Sequence, residues 1–179
     1  MSYDIDLFVP QPGLTLQESF DQQNTGELKA ITGSLIAKIK PITEVLKAKH
    51  SLDLRMSENC VELIDQELVI EISFFESGAG GMRIVYGSSG ARAKRTFQKV
   101  CDILNTLKNM GNYHAYDPQW GEFFSDFDDN YLEKMLSING YTTSKMSELW
   151  GARPSLIGEV FNVARSLVND IFGSKHRDK

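Results

Sequence analysis

Two serines and a glycine stand at the start of a basic helix predicted for the middle of the chain. They are Ser88, Ser89 and Gly90, and the first helical turns carry Arg92 and Arg95. Free backbone N–H groups at a helix start attract phosphate or carboxylate, and so do guanidinium groups. The spacing differs from the phosphate-loop consensus and from the three-glycine dinucleotide fingerprint. An anion-binding turn and a plain serine-capped turn therefore both stay open as interpretations.

A second cluster combines aromatic and acidic side chains in one short segment. Tyrosine and tryptophan dominate interface hot spots, so an exposed segment of this type favours contact with a partner protein. A histidine and an aspartate in the segment could act as base and orienter, but nothing in the sequence places a nucleophile beside them, and no catalytic residue is predicted. The predicted partner-binding residues are Tyr113, His114, Tyr116, Asp117, Trp120, Glu122, Asp126, Asp128 and Asp129.

The aspartates of this segment begin like a calcium-binding loop. From Asp126 onward, however, the glycine expected at the sixth position and the glutamate expected at the twelfth are replaced by Tyr131 and Ser137. The three histidines have no ligand spacing with one another or with the two cysteines. We therefore predict no metal site and no cofactor.

Charge is segregated along the chain. The net charge of -5 argues against a general nucleic-acid binder, because such a protein presents a basic surface to phosphates. The window 83–108 holds six basic residues and one acid, whereas 117–133 holds six acids and no lysine or arginine. The window 53–76 holds seven acids and one arginine. The acidic windows offset the basic helix across the fold, are simply solvated, or form a polar binding face.

The pattern of apolar residues predicts an α+β fold. Alternation with period two predicts strands, and apolar spacings of three and four predict helices. The predicted strands span 4–9, three segments between 52 and 75, 82–86 and 112–117. The predicted helices span 27–49, with Thr25 as N-cap and a kink or break at Pro41, and 91–110. We expect an antiparallel or mixed sheet of about five or six strands packed by these two amphipathic helices.

The last third of the chain, 123–179, is predicted to be a helical extension packed on a sheet domain formed by 1–122, so that both make one compact domain. Its longest helix, at 155–172 with Gly173 as C-cap, carries a wide apolar stripe. Leaving such a stripe exposed costs about 1.5–3 kcal/mol for each large apolar side chain. The stripe is therefore expected to dock on its own domain or on a second copy of the chain, which would form a homodimer.

The sequence also indicates the cellular compartment of the protein. The opening MSYDID is acidic, whereas a signal peptide needs a basic region followed by an apolar one. No apolar run approaches the roughly 18 residues of a membrane span. We expect a cytoplasmic protein without membrane contact, in which Cys60, in a strand, and Cys101, on the apolar face of its helix, are reduced and buried.

Two features resemble known groups of proteins. The opening Met1–Asp4 and the tetrapeptide Tyr116–Gln119 resemble a loose group of small uncharacterised bacterial proteins. The element order of strand, helix, antiparallel strands, glycine-containing turn, helix and strand is similar to that of GNAT-type acetyltransferases. This second resemblance implies that Gly87–Ala91 cradles the pyrophosphate of coenzyme A beside two splayed strands.

The sequence therefore favours a non-enzymatic protein-binding module that contacts a partner protein through its acidic and aromatic segment. Some proteins of this size act as toxin-neutralising immunity proteins, which makes an immunity-like or adaptor role an analogy to test. The alternative is a small acyltransferase-like enzyme, or another anion-binding activity, at the turn Gly87–Arg95.

Overall fold

The computed structural model describes residues 2–24, 29–68, 70–85 and 89–150, with side chains up to residue 145. The chain divides into two compact units, Met1–Asn139 and Gly140–Lys179. The described residues of the second unit belong to a helix that starts in the first unit and ends at Trp150. The helix predicted at 155–172, its Gly173 cap and the homodimer predicted through it lie outside the described residues.

The first unit is built around an antiparallel sheet, which has seven strands among the described residues. The strands are β1 (Ser2–Phe8), β2 (Asp53–Met56), β3 (Val61–Asp65), β4 (Ile70–Phe74), β5 (Gly80–Val85), β6 (His114–Asp117) and β7 (Glu122–Phe124). Their order across the sheet is β2-β3-β4-β5-β1-β6-β7, and each neighbouring pair is antiparallel. The predicted α+β class is confirmed, and β7 is the strand beyond the six that were predicted.

Apolar side chains from three helices cover one face of the sheet. The helices of the described chain are α1 (Leu16–Gln23), α2 (Gly33–His50), α3 (Gly90–Gly111) and α4 (Asp129–Trp150). The core joins α2, α3 and the first turns of α4 to the strands. Because successive strand residues point to opposite faces, Tyr3, Ile5 and Leu7 lie in this core. Asp4 and Asp6 lie on the other face of β1, where both are partly exposed.

The two amphipathic helices predicted from the sequence, α2 and α3, pack against each other as well as against the sheet. Their approach is close at Gly111, where a Cβ atom would lie 2.7 Å from Ile42 Cδ1 and 2.8 Å from the ring of Tyr113. Glycine at this position therefore lets the end of α3 lie against α2. The helix α2 runs through Pro41 as one element, so the predicted break is absent there.

The start of α2 differs from the prediction. Thr32, and not Thr25, is its N-cap, and the Thr32 hydroxyl accepts a hydrogen bond from the Ser34 N–H at 3.2 Å. The residues just before the helix are held by other parts of the fold. The Ile31 N–H donates to the Glu58 carbonyl at 2.9 Å, and the Thr32 N–H donates to the Glu76 carboxylate at 2.9 Å. These long-range contacts fix the extended segment before the helix.

The helix α1 lies in a region for which neither a helix nor a strand was predicted. It begins with a capping box, in which the Thr15 hydroxyl accepts from the Glu18 N–H at 3.2 Å and the Glu18 carboxylate accepts from the Thr15 N–H at 2.8 Å. At its other end, the Gln23 amide accepts from the Val9 N–H at 3.0 Å and donates to the Val9 carbonyl at 2.6 Å. Just beyond the end of β1, the Gln23 side chain therefore satisfies both backbone groups of Val9, as a neighbouring strand would.

A tight turn joins β6 to the unpredicted strand β7. The Asp117 carbonyl accepts hydrogen bonds from the N–H groups of Trp120 at 3.1 Å and Gly121 at 2.8 Å. Gly121 has a φ of 66°, a left-handed conformation that a residue without Cβ adopts readily. The chain reverses within this turn, and β7 pairs with β6.

The two cysteines are free thiols in different settings. Cys101 is buried in α3, as predicted. Cys60 lies in the turn between β2 and β3 and is partly exposed, with its Sγ 3.0 Å from Ser57 Oγ. The prediction of a buried strand residue is therefore wrong for Cys60, because β2 ends at Met56 and β3 begins only at Val61.

Candidate protein-binding surface

The segment of β6 distributes the predicted partner-binding residues between the two faces of the sheet. Tyr113, just before the strand, is 1% exposed, and Asp117, at its end, is 0% exposed. Both lie on the face covered by helices. His114 and Tyr116 alternate with them, so they lie on the opposite face, where they are partly exposed. The strand thus separates Tyr113 and Asp117 from the other two residues.

The buried carboxylate of Asp117 ties β6 to β1 and to α4. It accepts hydrogen bonds from the Tyr3 hydroxyl, from the Tyr131 hydroxyl at 3.2 Å and from the Gln119 N–H at 3.0 Å. Burial raises the pKa of the Asp117 carboxyl, and these hydrogen bonds, which favour the charged form, offset the rise only in part. Burial also raises the pKa of Tyr131, and the negative charge of Asp117 adds to that rise. Asp117 therefore serves the fold.

On the opposite face, His114 and Tyr116 belong to an aromatic cluster. The Tyr116 ring lies 4.9 Å from Phe20 of α1 and 5.0 Å from Phe123 of β7, between centroids, and the His114 ring lies 6.1 Å from Phe8. Burial lowers the pKa of His114, and nearby Lys108 adds to this effect. The partly buried Tyr116 ring therefore helps to pack α1 against the sheet, and the His114 ring packs beside Phe8 of β1.

Three exposed residues of the predicted surface contact lysines. The Lys134 Nζ lies 2.6 Å from the Glu122 carboxylate and 5.0 Å from the centroid of the Trp120 ring. The Lys108 Nζ lies 2.7 Å from the Asp126 carboxylate. Ion pairs this exposed contribute little to stability, so they leave the carboxylates available to a stronger partner.

The last two predicted residues, Asp128 and Asp129, begin α4. Asp128 precedes the helix, and its carboxylate accepts hydrogen bonds from the N–H groups of Asn130 at 3.0 Å and Tyr131 at 3.1 Å. Acidic side chains are favourable here because the helix dipole places partial positive charge at its N-terminus. Both aspartates are exposed, and neither forms an ion pair within the described part of the chain.

Basic residues of α3 offset some acids of both acidic windows. Lys99 pairs with the buried Asp65 and also donates to the His50 carbonyl at 2.8 Å. Lys108 of the same helix pairs with Asp126. Charge offset across the fold, one of the three interpretations of the acidic windows, is therefore confirmed for Asp65 and Asp126. It does not extend to Asp128 and Asp129.

An open cleft of about 390 Å³ lies between the end of α2, the middle of α3 and the start of α4. Its lining includes His50, Lys99, Cys101, Asp102, Asp128 and Asp129. Of these, the sequence pointed only to the last two as site residues. The others come from helices that are distant in the chain, and no local motif marks them, because they meet only after the helices have packed.

The alternative anion-binding turn is described in part. Ser88 lies outside the described residues, whereas Ser89 is the N-cap of α3 without a side-chain capping hydrogen bond, and Gly90 has a φ of 56°. Arg92 donates to the Glu67 carbonyl at 3.0 Å, and Arg95 is exposed. The Arg92 guanidinium is therefore already hydrogen-bonded to the turn between β3 and β4.

The described residues also bear on other classes of site. They include no group of three or more His, Cys, Asp and Glu side chains placed to hold a metal ion. None of the described helices is both long and apolar enough to cross a membrane.

No protein-family model matches the chain, and no curated protein or solved structure matches it. Its function is therefore inferred from the geometry of the surface itself.

Proposed function

We propose that this protein is a non-enzymatic, cytoplasmic binding module of the immunity-like or adaptor kind, which contacts a partner protein through an acidic and aromatic surface. The exposed residues of that surface are Trp120, Glu122, Asp126, Asp128 and Asp129. We call the last three the acidic turn. The observation that carries the proposal is the exposure of all three aspartates, of which only Asp126 has an ion-pair partner in the described chain.

Neighbouring carboxylates repel one another, so the acidic turn is electrostatically complementary to a basic partner. Such complementarity mainly speeds association and selects among partners. Trp120, 36% exposed beside Glu122, supplies an aromatic surface of the kind found at interface hot spots. Tyr113 and Asp117 are buried, so the proposed contact surface no longer includes them.

A non-enzymatic role fits the placement of the polar side chains near the acidic turn. His114 and Asp117 point to opposite faces of β6, so they are not placed as a base and its orienting group. The Asp117 oxygens accept hydrogen bonds from two tyrosines and a backbone N–H, which occupies them within the fold.

The alternative is a small enzyme that binds coenzyme A or another anion at Gly87–Arg95. The uncapped Ser89 and the exposed Arg95 favour it, because helix N–H groups and a guanidinium both attract anions. The sheet gives it less support. The strand before this turn, β5, pairs continuously with β4 and with β1, whereas the acetyltransferase resemblance implies splayed strands.

Native mass spectrometry of the protein, purified gently from its own host, tests both functions. The binding function predicts a second protein at fixed stoichiometry. A variant with Asp126→Lys, Asp128→Asn and Asp129→Lys should lose it, because the positive turn repels a basic partner while the asparagine introduced at position 128 still caps α4. The matched control, Arg92→Ala with Arg95→Ala, alters charge elsewhere and should retain the partner.

Two results would contradict the proposed function. One is a small adduct of coenzyme or nucleotide mass that disappears in the Arg92→Ala and Arg95→Ala variant, which would favour the enzyme. The other is a partner protein that remains bound at full stoichiometry after charge reversal of the acidic turn.

A further inference from the structure

We propose that the cleft between α2, α3 and α4 binds an arginine side chain of the partner protein. This inference rests on the proposed function and deepens it, since two residues of the acidic turn, Asp128 and Asp129, line the cleft. The cleft would then be the point at which a basic partner is anchored, and the remaining exposed surface would surround it.

The charges of the cleft favour a cationic guest. Asp102, Asp128 and Asp129 line it together with one basic residue, Lys99. Lys99 pairs with Asp65, which does not line the cleft, and donates to the His50 carbonyl, so its positive charge is already offset. Asp102 pairs with Lys49 at 3.1 Å, but both side chains are about half exposed, and such a pair is readily exchanged.

The three carboxylates act on a common point at Cys101. Burial raises the pKa of the Cys101 thiol to about 12, and the charges of Asp128, Asp102 and Asp129 all add to the rise. Cys101 lines the cleft with these three acids, so their negative potential extends into it. A cation in the cleft would interact with several acids at once.

A buried nitrogen of His50 is a second, independent observation at this cleft. It lines the cleft, it is 8% exposed, and its Nε2 is buried without a hydrogen-bond partner in the described chain. Burial lowers the pKa of His50, with Lys49 contributing, so the ring is neutral at physiological pH and can accept a hydrogen bond. Buried polar atoms are normally paired, and in the tautomer protonated at Nδ1 the Nε2 atom accepts a hydrogen bond from a donor in the cleft.

Arginine fits these acceptors better than lysine does. Its planar guanidinium carries five N–H donors in a fixed fork, so it can reach carboxylates and an imidazole nitrogen at the same time. It is also less strongly hydrated than an ammonium, which lowers the cost of entering a partly buried site. Phe127 and Leu132, both buried, supply apolar wall for its methylene stem.

The test is an NMR titration of the full chain with N-acetyl-arginine methylamide, using N-acetyl-citrulline methylamide as the uncharged match. The arginine probe should shift the backbone amide signals of His50, Cys101 and Asp129, and the citrulline probe should not. Asp102→Asn with Asp129→Asn should weaken binding about tenfold, because charge-assisted hydrogen bonds are lost. His50→Phe should weaken it about fivefold, through the lost acceptor.

The matched control is Glu44→Gln with Glu58→Gln, which changes the net charge equally at exposed acids outside the cleft. It should bind the probe as the unmodified chain does, and unchanged unfolding midpoints show that each variant is folded. Equal binding of the two probes, or equal binding by the cleft variant and the control, would overturn the inference.

The two proposals can fail separately. A partner lost on charge reversal of the acidic turn, combined with no response to the arginine probe, leaves the proposed function standing and overturns the cleft. A specific response to the arginine probe without a partner at fixed stoichiometry supports the cleft as a guanidinium site and counts against the proposed function.

Discussion

Asp117 and the acidic turn lie within 12 residues of each other, yet their carboxylates have opposite surroundings. Asp117 is fully buried and accepts hydrogen bonds from tyrosines of β1 and α4. Asp128 and Asp129 are exposed at the start of α4 and form no ion pair in the described chain. The carboxylate of Asp117 holds elements of the fold together, whereas those of Asp128 and Asp129 are accessible to solvent.

The difference shows that acid content alone does not define a binding surface. A strand turns alternate side chains to opposite faces, so a run of polar residues along β6 is divided between core and exterior. A helix start instead exposes its first acids and stabilises them through the dipole. The element that carries an aspartate therefore decides whether the aspartate is structural or accessible.

The largest effect is expected for Asp117→Ala. This change removes the carboxylate that accepts hydrogen bonds from the buried Tyr3 and Tyr131 side chains and from the partly buried Gln119 N–H. Urea denaturation should show a loss of about 2–4 kcal/mol in the free energy of unfolding.

Asp117→Asn is the control for this change, because it keeps one oxygen acceptor and should lose less. A cost below about 1 kcal/mol for Asp117→Ala would mean that the buried cluster contributes no more than an ordinary hydrogen bond, and the contrast with the acidic turn would disappear.

A smaller effect is expected for Lys99→Met, which keeps the stem and removes the ammonium from buried Asp65. The free energy of unfolding should fall by about 1–2 kcal/mol near neutral pH. Burial opposes ionisation of Asp65, but the hydrogen bond from Lys99 and two backbone N–H groups outweigh it and hold the pKa below 3.8. The stabilisation is therefore complete above pH 3.8 and is lost as the pH falls through the lower pKa of the folded state.

Urea denaturation of the unmodified chain and Lys99→Met should accordingly differ most near neutrality and converge at acid pH. Lys94→Met, at an exposed position of the same helix, is the matched control and should cost little at either pH. If the difference in free energy of unfolding between the two chains stays constant down to the lowest pH, the introduced methionine acts through packing and the ion pair contributes nothing.

The smallest effect on stability is expected for the acidic turn. Combined Asp126→Asn, Asp128→Asn and Asp129→Asn should change the thermal unfolding midpoint little, because an asparagine at position 128 still caps α4 and the exposed pair with Lys108 contributes little. The lost interaction of the carboxylates with the helix dipole is offset by the relief of repulsion between them. Asp128→Ala, which removes the cap, should cost about 1 kcal/mol. A clear drop in the midpoint for the triple asparagine variant would show that the acidic turn is structural as well.

Local periodicity was sufficient to predict most of the fold. Ile5 and Leu7 alternate with Asp4 and Asp6, which predicts a strand with one buried face, and the structure confirms it. The apolar spacing along α3 likewise predicted a buried helix face. Short-range patterns carry this information because neighbouring side chains report directly on the geometry of their own element.

Two elements that were not predicted nevertheless have local signals. The sequence from Thr15 to Glu18 is a capping box, which marks the start of α1, and Gly121 marks the turn before β7. The cleft is different in kind. His50 and Asp129 are far apart in the chain. No local sequence pattern predicts that they line the same cleft, because they come together only when the helices pack.

The strand β1 comes first of the seven strands but lies between two late ones. Tyr3 lies opposite Ile84 of β5, and Asp6 lies opposite Tyr116 of β6. Pairings across such long stretches of chain must overcome a large loss of chain entropy before any contact stabilises them. As the ribosome makes the chain from its N-terminus, β1 leaves the exit tunnel well before either neighbour exists. Of the seven described strands, the one that is synthesised first is therefore among the last to be enclosed.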